Sequence, residues 1–226
     1  MKRKFVFGMG TGCCGTASLA YLLNSQENAF VGHELFPILP WSTDKLAREF
    51  FMNSKWEQLN HESHLYDLVG DVGFYYLPYV RFLMYNLEEE KIGDDVDFKF
   101  IVLKRNKKEV IDAYLDKFKR QNNNPLQIRS FEARKDMWDM CFPKYDGVSL
   151  PIALECYYED YYAETNYLLD KWPGYVKLID ISELNNTEGV TNILEFVGIQ
   201  NPKIIVGTRK NKRQEAIMFN EAKNEN

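Results

Sequence analysis

The stretch from Phe5 to Gln26 carries no charged side chain, and its internal order is what most restricts the fold. The apolar run Phe5-Val6-Phe7 leads into Gly8-Met9-Gly10-Thr11-Gly12-Cys13-Cys14-Gly15-Thr16-Ala17-Ser18, and this into Leu19-Ala20-Tyr21-Leu22-Leu23. A buried strand that turns through glycines into a helix is half of a βα unit, and such units build parallel sheets. Two other readings of an uncharged N-terminal stretch fail. Gly8, Gly10, Gly12 and Gly15 interrupt the compact apolar run of a secretory signal. The continuously apolar pieces are also far shorter than the roughly 20 residues that span a bilayer.

The rest of the chain repeats the alternation of short apolar runs with helical patterns. Strands are expected at Lys4 to Gly8, Ala29 to Gly32, Leu65 to Asp71, Phe98 to Lys104 and Val176 to Asp180. Helices are expected at Thr16 to Asn24, Thr43 to Asn60, Leu77 to Glu90, Lys107 to Lys119, Phe131 to Met140, Ala153 to Lys171 and Thr187 to Val197. Phe98-Lys99-Phe100-Ile101-Val102-Leu103 has the nearly unbroken apolar content of a central strand. The expected fold class is therefore α/β: three layers, with a mostly parallel central sheet flanked by helices, in the manner of P-loop-like nucleotide-binding proteins. No Pro/Gly/Ser-rich linker divides the chain, so one domain over 1–226 is expected, with a frayed tail from about residue 220.

Glycines let backbone N–H groups converge on an anion, and the following helix adds its positive end. Gly10 to Gly15 reproduces the GxxxxG part of a Walker A loop, but Thr16-Ala17 stand where a nucleoside triphosphatase needs Lys and then Ser or Thr. An ATPase, GTPase or kinase is thereby disfavoured, and a phosphate loop without a standard magnesium site is left. The structural alternative is a glycine turn that serves only close packing of strand on helix. A second anion signal follows the central strand, where Lys104-Arg105-Asn106-Lys107-Lys108 places positive charge at a helix start. The macrodipole makes that placement unfavourable unless an anion shares the site. A solvated basic turn offset by Glu109 and Asp112 is the competing reading. The whole chain has 28 Lys plus Arg against 33 Asp plus Glu, a formal charge of −5, which excludes a broadly basic nucleic-acid binder but not a local phosphate site.

The glycine loop, the basic segment after a central strand, Tyr158-Glu159-Asp160 opening a late helix, and Ile193-Leu194-Glu195-Phe196-Val197-Gly198-Ile199 occur in an order that resembles the sulfotransferases, whose donor is PAPS (3′-phosphoadenylyl sulfate). The resemblance spans roughly Lys4 to Ile199. It implies that Gly10, Thr11, Gly12, Cys13, Cys14, Gly15 and Thr16, with Ser18, hold the 5′-phosphosulfate, and that Arg105 binds the 3′-phosphate, with 3′,5′-ADP as product. The basic run beginning Arg209-Lys210 is similar to the donor loop of some members, or is a solvated tail. Two departures stand out: Cys13 takes the place of a basic residue in the loop, and Ala113 takes the place of a serine.

Transfer to a hydroxyl or amine also needs a proton acceptor. Gly32-His33-Glu34 ends the second strand and resembles the Gly-Glu-Glu of tyrosylprotein sulfotransferases, making Glu34 the first candidate base and His33 the second. The alternatives are a Glu34 paired with a cation and a buried structural histidine. Asp71, at another strand end, could orient acceptor or base, or only cap the turn. Phe36 to Trp41, with two prolines, reads as an irregular acceptor wall carried by Phe36 and Trp41. His61 and His64 lack further ligands for a metal site, and none is expected. Four scattered cysteines give no disulfide framework, which agrees with a cytoplasmic protein. The functional expectation is a PAPS-dependent sulfotransferase acting on a small-molecule, glycan, lipid or peptide acceptor. The alternatives are a non-catalytic phosphonucleotide-binding module of the same fold and, less favoured, a small-molecule kinase. Neither a nucleic-acid partner nor a membrane span is expected.

Overall fold

A computed structural model describes residues 2–120 and 139–207 of the chain. Five strands, β1 (Arg3–Met9), β2 (Ala29–His33), β3 (Leu68–Val72), β4 (Val96–Lys104) and β5 (Val176–Asp180), form one sheet in the order β2-β3-β1-β4-β5. All four pairings are parallel, so the sheet is wholly rather than mostly parallel. The described α-helices are α1 (Thr16–Asn24), α2 (Lys45–Phe50), α3 (Glu57–Glu62), α4 (Tyr79–Glu88), α5 (Lys107–Arg120), α6 (Leu150–Lys171) and α7 (Thr187–Phe196). Among the described residues no helix is long and apolar enough to cross a membrane.

Side chains alternate across β1, and this alternation sorts the core into two halves. Phe5, Phe7 and Met9 face one side with Phe98, Phe100, Trp56 and Tyr76, while Val6 faces the other with Leu19, Ile101, Leu103 and Val190. The first half is strongly aromatic: Phe7 stacks on Phe100 at 5.8 Å and meets Tyr76 at 5.0 Å. Small residues let the layers close. A Cβ at Gly70 would run into the Val6 carbonyl of the neighbouring strand, which only glycine avoids.

Three expected elements change. Residues 65–67 do not join β3, and Leu65 is exposed at the approach to the strand. The helix expected over Thr43 to Asn60 is divided: Asp44 caps α2 by accepting from the Ala47 amide at 2.8 Å, and a π-helical turn, Phe51–Trp56, separates α2 from α3. Helix α6 begins at Leu150 rather than Ala153, with Pro151 in its first turn, where a missing N–H costs nothing. The helix expected over Phe131 to Met140 lies mostly outside the described residues; its end, Asp139 and Met140, belongs to a short 3₁₀ turn, Asp139–Cys141. Residues from 208 onward, including the expected tail, also lie outside.

Candidate active site

β1 is central, with β3 on one side and β4 on the other, so the strand order reverses direction at its carboxyl end. Ligands of doubly wound sheets bind at such switch points. There the chain leaves β1 through the glycine loop. Gly12 and Gly15 adopt φ of 80° and 92°, and Cys13 between them has φ of 52°. A Cβ on Gly12 would collide with the Tyr114 hydroxyl, which donates a 2.6 Å hydrogen bond to the Thr11 carbonyl and so fastens the loop to α5. Gly15 is the N-cap of α1; no side chain caps that helix and its first turn carries no acid. The first-turn amides of an uncapped helix are an anion site in waiting.

Arg105, just beyond β4, donates from Nη1 to the Cys13 carbonyl at 2.9 Å and from Nε to Glu109 at 2.8 Å. The arginine is thus beside the glycine loop. Its neighbours are less available than the sequence suggests: Lys107 pairs with Glu159 and Lys108 with Asp112. Lys104 instead lies over the Tyr162 ring, 5.3 Å from its centroid. The competing reading of a basic turn offset by carboxylates therefore holds for much of this segment. Arg209 and Lys210 fall outside the described residues.

His33 ends β2 and Glu34 follows it, two strands from β1, and His33 reaches the start of α1. His33 Nε2 lies 3.1 Å from Thr16 Oγ1, at the first residue of α1. Glu34 has φ of 53° and its amide donates to the Val72 carbonyl at 2.9 Å. Burial pushes the Glu34 carboxyl above its ordinary range; the neighbouring charges of His33 and Lys117 oppose the rise and Asp71 adds to it. A carboxyl of raised proton affinity is suited to proton transfer.

Asp71, in β3, lies inside the protein. It is fully buried and accepts from Tyr76 Oη at 2.6 Å, from the Val72 amide at 3.0 Å and from the Leu35 amide at 3.2 Å to each oxygen. Lys55, equally buried, pairs with it at 3.2 Å. Lys55 is the residue that the sequence reading missed, since a lysine inside a helical pattern reads as solvent-facing. Phe36 is 72% exposed. Trp41 meets Tyr157 edge-on at 5.6 Å and lines a cavity of about 440 Å³ with Arg81, Tyr145, Asp160 and Glu164, to which neither the glycine loop nor Glu34 contributes. Among the described residues no group of three His, Cys, Asp or Glu could hold a metal.

No family model and no curated protein sequence matches the chain. Among solved structures, it is similar to a crystal structure of a sulfotransferase from Alicyclobacillus acidocaldarius, with a TM-score of 0.53 over 97% of this chain and 92% of that one. The fold is shared with a sulfotransferase. At 18% identity the likeness speaks for the architecture, a parallel α/β sheet flanked by helices, and not for any residue's role.

Proposed function

We propose that the chain is a sulfotransferase that uses PAPS to sulfate a hydroxyl or amine, with Glu34 as base. The observation that carries this reading is the meeting of three parts at one edge of the sheet: the uncapped, acid-free start of α1, the Arg105 guanidinium beside the Cys13 carbonyl, and His33 against Thr16. The fold shared with a sulfotransferase supports it. Gly12 and Gly15, with positive φ, turn the loop from β1 into α1 in the way a backbone anion site requires.

In this reading PAPS supplies a sulfuryl group bonded to a bridging phosphate oxygen. The amides of Gly10 to Thr16 and the Ser18 region hold the phosphosulfate oxygens, and Arg105 turns its planar fork to the 3′-phosphate. Glu34 takes the acceptor's proton as the new S–O bond forms and the bridging S–O bond breaks, and His33, held near Thr16, is the alternative acceptor of that proton. Loop amides directed at the developing charge do the electrostatic work usually shared with a cation in the loop. The acceptor enters past the exposed Phe36, two residues after the base, and Asp71 acts on the base rather than on the acceptor. The protein works in the cytoplasm as one domain.

A second reading, a phosphonucleotide-binding module without chemistry, is favoured by Cys13, which leaves the loop without its own cation, and by the engagement of Arg105 with Glu109. Calorimetry separates the classes. Binding of 3′,5′-ADP without magnesium is expected, and failure to bind it rejects both readings, whereas a preference for ATP with Mg²⁺ points to a kinase. Turnover of PAPS with an acceptor library, lost in Glu34→Gln and reduced in His33→Asn, distinguishes enzyme from binder.

A further inference from the structure

The π-helical turn Phe51–Trp56 carries Phe51, Lys55 and Trp56 inward. Two of these are ordinary core residues. Lys55 is not: its side chain has no solvent exposure, and a lone ammonium there would be strongly destabilising. Widened turns of this kind occur often at functional sites, where they redirect one side chain. Lys55 is directed at the segment that follows Glu34.

Lys55 Nζ donates to the Leu35 carbonyl and pairs with Asp71 at 3.2 Å. Asp71 in turn accepts from the Leu35 amide. Both polar groups of one residue's backbone are therefore held by the two members of a buried ion pair. The preceding residue, Glu34, is held in the left-handed region with its own amide on the Val72 carbonyl. Such a conformation costs a non-glycine residue energy and persists where its surroundings fix it. Tyr76, through its 2.6 Å hydrogen bond, anchors Asp71 from below.

The geometry points to Lys55 and Asp71 as a clamp on Leu35 that sets the position of the Glu34 carboxylate; they are positioning residues, not catalytic ones. The importance of Glu34 rests on the function proposed above, but the clamp is a statement about structure and stands on its own test. The charged groups facing Glu34 are His33 from β2, Lys117 from α5 and Asp71 from β3. Lys55 acts through Leu35.

The test is Lys55→Met, which keeps an unbranched side chain one atom shorter and leaves Asp71 its donors on Leu35, Val72 and Tyr76. Hydrogen exchange at the Glu34 and Leu35 amides is expected to accelerate by about tenfold or more while Val6 and Phe100 in the sheet stay protected. The titration of the Glu34 carboxyl, followed by carbon NMR, is expected to differ from that of the wild type, because both its burial and the Asp71 charge beside it depend on the clamp. With PAPS and an acceptor, kcat is expected to fall on the order of 10- to 100-fold with unchanged 3′,5′-ADP affinity. A folded Lys55→Met protein with wild-type exchange at Leu35 and wild-type Glu34 titration overturns the clamp. If that variant does not fold, Tyr76→Phe carries the same two readouts, a change supporting the clamp and no change refuting it. Full activity in Glu34→Gln would reject Glu34 as base and leave the exchange result to decide the clamp alone.

Discussion

Replacing Gly12 by alanine tests the tightest joint between the glycine loop and the rest of the fold. Two costs arise. A residue with a Cβ at φ of 80° gives up about 1–2 kcal/mol relative to glycine. The added methyl also meets the Tyr114 hydroxyl, which must withdraw from the buried Thr11 carbonyl, and an orphaned buried hydroxyl or carbonyl costs about 1–3 kcal/mol. Together they predict a loss of about 2–5 kcal/mol, a fall in Tm of roughly 4–20 °C for a chain of this size. The two costs separate in a double-mutant cycle with Tyr114→Phe. Removing the hydroxyl leaves the ring carbon 3.1 Å from the new methyl, a tight contact in place of a collision, so in that background the Gly12→Ala penalty should shrink toward the backbone cost of about 1–2 kcal/mol. Calorimetric unfolding of the four proteins measures the coupling. Equal penalties in both backgrounds would refute the role assigned to Tyr114, and a Tm shift below about 1 °C would refute the loop conformation itself. If the loop holds phosphate, 3′,5′-ADP affinity should fall with stability.

Two further outcomes follow from buried ionisable groups. Because burial raises the Glu34 carboxyl, the folded state binds its proton more tightly than the unfolded chain does, so the associated stability is present at low pH and is lost as pH rises through the raised value. Glu34→Gln should therefore have a higher Tm than wild type at pH 7, with the advantage disappearing below the ordinary glutamate range near about 4.3, and the acid limb of any wild-type activity should lie above that range. Cys14, fully buried, has its thiol pushed up to about 12 by desolvation, so it should resist iodoacetamide at pH 8 in the native protein and react only on unfolding, as peptide mass spectrometry would show.

The parts of this fold that were legible in the sequence are those in which a local pattern and its tertiary partner agree. β1, the glycine loop and α1 were readable because the turn residues, the apolar period and the absence of charge all describe one βα unit, and α7 because Thr187 stands in its first turn and Gly198 follows its end. The break at Phe51–Trp56 was not readable: the segment keeps a helical apolar pattern on both sides, and a one-residue widening leaves no mark in composition. Lys55 was lost with it, because lysine is almost always exposed and only the position of Asp71 on a neighbouring strand explains its burial. The neutralisation of the basic segment was half visible. Arg105 with Glu109 and Lys108 with Asp112 are i,i+4 pairs written into the sequence, whereas Lys107 with Glu159 spans two helices and appears only in the fold.

The many tyrosines have a similar explanation. Tyr114 donates to Thr11, Tyr162 to Leu103, Tyr158 to Arg105, Tyr161 to Phe74 and Tyr79 to Pro40, each a backbone carbonyl at or just beyond a strand end or in the segment after Glu34. A phenylalanine would fill the same aromatic core, but it would take the tyrosine donor from the buried bonds to Thr11, Phe74 and Leu103, at about 1–3 kcal/mol where no other donor replaces it. The ring belongs to the core under the sheet and the hydroxyl to the loops above it. Tyrosine at these positions therefore couples packing to loop geometry, so that the glycine loop, the approach to Arg105 and the path from Glu34 to Trp41 are held by the same aromatic layer. That coupling gives a reason for tyrosine, rather than phenylalanine, at positions whose rings are almost wholly buried, and it carries the hydroxyls of the aromatic core to the segments that leave the carboxyl ends of the strands.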